Sequence, residues 1–144
     1  MNNGINVNSE IGKLKSVLLH RPGAEVENIT PDTMKQLLFD DIPYLKIAQK
    51  EHDFFAQTLR DNGAETVYIE NLATEVFEKS SETKEEFLSH LLHEAGYRPG
   101  RTYDGLTEYL TSMSTKDMVE KIYAGVRKNE LDIKRTALSD MAGS

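Results

Sequence analysis

No cysteine occurs anywhere in the 144 residues. Disulfides, thiolate metal sites and thiol nucleophiles are therefore excluded within this chain, and redox logic says nothing about its compartment. Long apolar runs are missing too. The longest, such as Ser16–Leu19 and residues 37–39, fall far short of the roughly 20 residues that span a bilayer. Residues 1–12 are polar and hold no apolar segment of a secretory signal. We expect a soluble, cytoplasmic chain with no membrane among its partners. Positive charge is also scarce: 17 Lys and Arg against 24 Asp and Glu give a net charge of -7 and a pI near 5.1. With no basic run to offset that balance, the chain repels phosphate backbones, so nucleic acid is not an expected partner. Glycine-rich phosphate loops, internal repeats and low-complexity tracts are absent as well.

What is present reads first as a strand. Ser16-Val-Leu-Leu-His20 is short and nearly all apolar, and Arg21-Pro22-Gly23 stops it with turn chemistry. Thr30-Pro31 supplies an N-cap and a proline at the first helical position. Met34, Leu37 and Leu38 follow at helical spacing, so a short helix is predicted to about Phe39, broken by Ile42-Pro43. A longer helix is predicted over 44–62, with Leu45, Ala48, His52, Phe55 and Leu59 on one face. Gly63 sits where a left-handed C-terminal stop belongs. Residues 65–70 are β-branched and aromatic, a second strand. Together these make a βαβ unit with parallel strands and a right-handed crossover.

Past Asn71 the pattern changes. Phe87, Leu88, Leu91, Leu92 and Ala95 form one helical stripe, closed by Gly96 and an Arg98-Pro99-Gly100 turn. Leu106, Tyr109, Leu110 and Met113 form a second. Met118, Val119, Ile122, Tyr123 and Val126 form a third, begun by a Ser114 N-cap with Asp117 in its first turn. The expected organisation is α/β: a βαβ segment over 1–71, a helical bundle over 72–128, and a poorly ordered polar tail over 129–144. Two parallel strands leave both outer edges unpaired, and parallel sheets normally have both faces covered. The chain therefore reads as a piece of a larger sheet; the alternative is a small α/β domain whose tail covers its edges.

Three groups of residues invite a chemical reading. In Leu37-Leu38-Phe39-Asp40-Asp41-Ile42-Pro43, adjacent carboxylates follow a helix C-terminus, where the dipole disfavours each by a few tenths to about 1 kcal/mol. Such a pair could clamp a guanidinium. Alternatively Asp41 helps start the next helix and Asp40 is solvated. His52 lies on an apolar stripe; it could serve as an acid or base, but reads better as a core histidine with satisfied nitrogens. His90 and His93 share a helix face without the spacing of a zinc helix, and read as solvated. His20 ends the first strand, and nothing near it in the sequence suggests a role.

Four blocks resemble the bacterial arginine deiminases. They are Ser9-Glu10-Ile11-Gly12-Lys13-Leu14-Lys15-Ser16-Val17-Leu18-Leu19-His20-Arg21-Pro22-Gly23, Leu37-Leu38-Phe39-Asp40-Asp41-Ile42-Pro43, Gln49-Lys50-Glu51-His52-Asp53 and Ala124-Gly125-Val126-Arg127. Their order and spacing agree, to about residue 135. The resemblance implies the first blade of a five-bladed αβ propeller, the pentein fold, with a helical bundle inserted after it. It implies hydrolysis of L-arginine to L-citrulline and ammonia, with no metal or organic cofactor. A cysteine thiolate attacks the guanidinium carbon, a histidine shuttles protons, and two carboxylates hold the guanidinium. None of those motifs occurs here, so the resemblance implies an N-terminal portion with no catalytic residue of its own. In the family the position matching Leu38 offers its backbone carbonyl near the substrate's α-amino group. Phe39, Asp40 and Asp41 lie near the pocket, but other acids clamp the guanidinium. Many members are oligomers, so the expected partners are further copies or the C-terminal part of the enzyme. An interaction module that binds through its exposed sheet edge is the alternative.

Overall fold

A computed structural model describes residues 7, 9–34 and 37–131. Two strands, β1 (Ser16–Leu19) and β2 (Glu65–Tyr68), pair in parallel, with Ser16 opposite Glu65 and Leu19 opposite Tyr68. Between them run α1 (Ala24–Glu27), α2 (Pro31–Met34) and α3 (Leu45–Asp61). After β2 come α4 (Ile69–Lys79), α5 (Ser81–Glu94), α6 (Arg101–Thr111) and α7 (Thr115–Ala124), then a 3-10 turn at Lys128–Glu130. The molecule is mixed α/β and mostly helical, and its sheet has two strands among the described residues. No described helix is long and apolar enough to cross a membrane.

The punctuation follows the residues. At the end of α3, Gly63 takes φ +80°, and the N–H groups of Gly63 and Ala64 reach back to Arg60 and Leu59 at 2.8 and 3.0 Å. Gly96 does the same after α5 with φ +86°, its own N–H and that of Tyr97 bonding to His93 and Leu92. Both are Schellman stops, where glycine carries the left-handed turn without a Cβ penalty. Ser80 and Ser114 cap α5 and α7, their hydroxyls accepting from the N–H groups of Thr83 and Asp117, each at 3.1 Å.

Three expectations need correction. The helix predicted to reach Phe39 is helical over Pro31–Met34; residues 35 and 36 lie outside the described set, and the chain has already turned at Leu38. Leu37 and Leu38 consequently face solvent rather than a core. The second strand ends at Tyr68, two residues early, because β1 supplies no partner past Leu19. Ile69 and Glu70 instead open α4, a helix that no turn residue announces. On α3 the stripe runs through Ala56, fully buried, and leaves Phe55 52% exposed. The polar tail expected over 129–144 is described only at 129–131, where Glu130 accepts from the Lys121 ammonium at 2.7 Å and the Tyr109 hydroxyl at 2.8 Å. Those donors hold the Glu130 carboxyl below its usual range, Lys121 contributing most. Residues 132–144 lie outside the described set.

Burial is divided unevenly. Phe77, Leu88, Leu110, Met118 and Val119 form one core, supported by Ala73, Tyr109, Met113, Ile122, Tyr123 and Val126. Phe77 and Phe87 meet at 4.9 Å between ring centroids. Around the strands, only Ala56 and Ala64 are buried among the described residues. Leu18, Ile47, Phe54 and Phe55 remain exposed there, Phe54 at 76%. Aromatic side chains of this size dominate cores when a facing layer exists. Among the described residues, the helical half has such a layer and the strand half does not.

Candidate functional site

Parallel strands end together, so residues just beyond their carboxyl ends are brought side by side, the place where open α/β sheets build their sites. Since Leu19 pairs with Tyr68, His20 leaves β1 beside the first turn of α4. There its Nδ1 hydrogen-bonds to a carboxylate oxygen of Glu70. Its Nε2 lies 3.1 Å from Oε1 of Glu25 on α1. The imidazole stacks on the Tyr123 ring of α7, with centroids 4.6 Å apart and planes 21° apart. One half-buried histidine thus touches three helices.

Around this cluster opens a cleft of about 590 Å³. Arg21, Pro22 and Gly23 form one wall, with Gln49 and Tyr68 beneath, and Asn71, Lys116 and Glu120 at other points of the lining. The Gln49 amide donates to the Pro22 carbonyl at 2.9 Å, which fixes the turn after β1. Arg21 is committed elsewhere: Nε and Nη2 donate to the two Asp53 oxygens at 2.8 and 2.9 Å. That pair raises the Arg21 pKa and lowers that of Asp53. Burial pushes the Glu25 carboxyl up, but N–H groups of Gly23 and of Glu25 itself, together with His20, outweigh it and leave the carboxyl below its ordinary value. Tyr123 is pushed up by burial first and by Glu70 second.

The residues singled out from the sequence fall in other places. Leu38 has φ +59°, the one positive φ among described non-glycine residues, and is 91% exposed. The Phe39 N–H closes back on the Met34 carbonyl at 3.0 Å, so Leu38 occupies the place of a Schellman glycine. Phe39, Asp40 and Asp41 are exposed, and Asp41 accepts the Ile42 N–H at 2.8 Å. None of the four lines the cleft. His52 is half-buried, its Nε2 lying 3.3 Å from the Tyr68 hydroxyl rather than beside an acid or a backbone group. His90 and His93 are exposed on α5, and no group of three or more His, Asp or Glu that could hold a metal occurs among the described residues. His20 is the residue the sequence reading passed over. Its signal lay in the strand register, not in its neighbours along the chain.

The fold defines a mixed α/β segment with a parallel strand pair opening into a helical bundle. The arginine deiminase family model matches residues 35–144, and the chain belongs to that family. It is 99% identical over 144 residues to an arginine deiminase of Lactococcus lactis subsp. cremoris (strain MG1363), covering all of this chain and 35% of that protein. An arginine deiminase of Latilactobacillus sakei is 61% identical over 142 residues, 99% of this chain and 34% of the relative. One from Limosilactobacillus reuteri (strain DSM 20016) is 56% identical, with the same coverage. The chain spans about a third of the length of the curated relatives it matches.

Proposed function

We propose that this chain serves as the N-terminal part of a cytoplasmic arginine deiminase, which hydrolyses L-arginine to L-citrulline and ammonia. Residues 1–71 would be the first blade of the five-bladed αβ propeller, residues 72–128 the inserted helical bundle, and residues 129–144 a polar tail. The observation that carries this reading is the 99% identity along all 144 residues to a protein of that name. The bare strand pair supports it, since Leu18, Phe54 and Phe55 lack a covering layer among the described residues.

In this role the chain supplies scaffold rather than chemistry. Opening a guanidinium carbon needs a nucleophile, and no cysteine is present to act as one. No cofactor enters. Leu38 would present its backbone carbonyl to the α-amino group of arginine, with Phe39, Asp40 and Asp41 shaping the pocket nearby. A strained, exposed loop residue fits a position held for binding rather than for stability. Loss of the nucleophile typically removes many orders of magnitude in rate. The purified chain incubated with L-arginine is therefore expected to form no citrulline above a no-protein control, and turnover would refute the assignment of its role.

A second reading is favoured by the exposed strand edges: the chain acts as a non-catalytic interaction module for full-length subunits or for the C-terminal part. Light scattering after size exclusion separates the two. Self-association or capture of a full-length arginine deiminase supports the module, and a cooperatively unfolding monomer counts against it.

A further inference from the structure

We propose that His20 is a proton-dependent latch, held as the imidazolium between Glu25 and Glu70, that fastens α1 to the rest of the fold. The proposal does not rest on the enzymatic role of the chain.

Both ring nitrogens of His20 face carboxylate oxygens, Nδ1 toward Glu70 and Nε2 toward Glu25. A neutral imidazole carries one N–H and one lone pair, so it can donate to only one of them. The imidazolium donates to both, and its charge-assisted bonds are the stronger kind. The surroundings decide which bond survives when the proton leaves. Among the described residues Glu70 has no other side-chain donor: its Oε2 is buried and without a hydrogen-bond partner. Taking His20 away would leave that carboxylate unpaired, which is costly. Glu25 is better provided, since the Gly23 N–H donates to the same Oε1 at 2.5 Å. The neutral ring therefore keeps its proton on Nδ1 for Glu70 and releases Glu25. A lone pair then faces the Glu25 carboxylate, and α1 is the element let go.

The other ionisable groups around the ring do not replace that contact. Arg21, next in the chain, is paired with Asp53 of α3. From α7, Tyr123 supplies its stacked face, while Lys116 and Glu120 sit at the cleft wall 3.9 Å from each other. From β2, Tyr68 reaches the His52 ring. Just past α1, the Asn28 amide donates to the Ala124 carbonyl at the end of α7, and Arg127 donates to the Asn28 oxygen. The bond to Glu25 is therefore made by the imidazolium and lost by the neutral ring.

The test uses the chain as it is. Two-bond 15N–1H spectra of the wild type at about pH 5.5 and about pH 8.5 report which ring nitrogens carry a proton. The expected result is both His20 nitrogens protonated at the acid end, and the Nδ1–H tautomer at the alkaline end. A neutral ring at the acid end, or the Nε2–H tautomer above, overturns the latch. Thermal melts of wild type and His20→Gln at the same two pH values give a second reading. The melting advantage of the wild type should shrink by roughly 3 °C on going to the higher pH. A difference that is constant, or that grows with pH, contradicts the proposal. If His20→Gln does not fold, the ring-nitrogen spectra of the wild type decide alone.

Discussion

Replacing Leu38 with glycine should make this chain more stable, although it removes a large apolar side chain. At 91% exposure that side chain buries almost nothing, so its loss costs little hydrophobic energy. Its backbone, at φ +59°, sits where a Cβ crowds the following carbonyl, a cost of ~1–2 kcal/mol for an L-residue. Glycine relieves that strain but is freer in the unfolded chain, which returns ~0.5–1 kcal/mol. The net gain is ~0.5–1 kcal/mol. Urea unfolding followed by helical circular dichroism reads it as a higher midpoint at an unchanged slope. Gly63→Ala is the mirror control, because Gly63 takes φ +80° at the corresponding place after α3. The nearest atom to an added Cβ is the Lys13 Nζ at 3.9 Å, so its expected net loss of ~0.5–1 kcal/mol comes from the same backbone strain and unfolded-chain entropy with the signs reversed, and not from a clash. A lower midpoint for Leu38→Gly would refute the reasoning, and would mean that the Leu38 side chain makes contacts its exposure does not reveal.

Two further outcomes follow from the division of burial and from the cleft. Leu110 is 2% exposed in the helical core, so Leu110→Ala should cost ~2.7–5 kcal/mol, while Phe54→Ala should change stability by less than ~0.5 kcal/mol; equal losses in denaturant titrations would contradict this partition. The Glu25 carboxyl is held below its ordinary value, so it contributes stability that is full above the unfolded value near 4.5 and is lost as the pH falls through the folded one. Melting curves of Glu25→Gln should accordingly lose less between pH 5 and pH 3 than those of the wild type, and an identical acid dependence would argue against the hydrogen bonds assigned to Glu25.

Much of the fold was legible because its signals are local. Gly63 and Gly96 mark their left-handed stops, Ser114 marks its cap, and the stripes at 87–95, 106–113 and 118–126 supply Leu88, Leu110, Met118 and Val119 of the core, while Phe77 comes from α4. The parallel pairing of 16–19 with 65–68 followed from two apolar runs separated by helices. What escaped depends on contacts distant in sequence. Helix α4 begins directly at the end of β2, and the strand stops at Tyr68 only because β1 stops at Leu19. On α3 the buried position is Ala56 while Phe55 stays 52% exposed, a choice that the apolar spacing along the helix does not make. His20 was illegible for the same reason: Glu70 and Tyr123 lie 50 and 103 positions away, and only the fold brings them to its ring. The Leu38–Asp41 segment stood out in the sequence through its resemblance, and the binding role proposed for it can be tested only in the complete enzyme.

Co-expression with the remaining C-terminal part of a Lactococcus lactis arginine deiminase tests the central claim most directly, with citrulline measured after L-arginine is added. The account predicts citrulline from the pair and none from either part alone. Citrulline formed by these 144 residues on their own, or none from a co-purified pair, would contradict it.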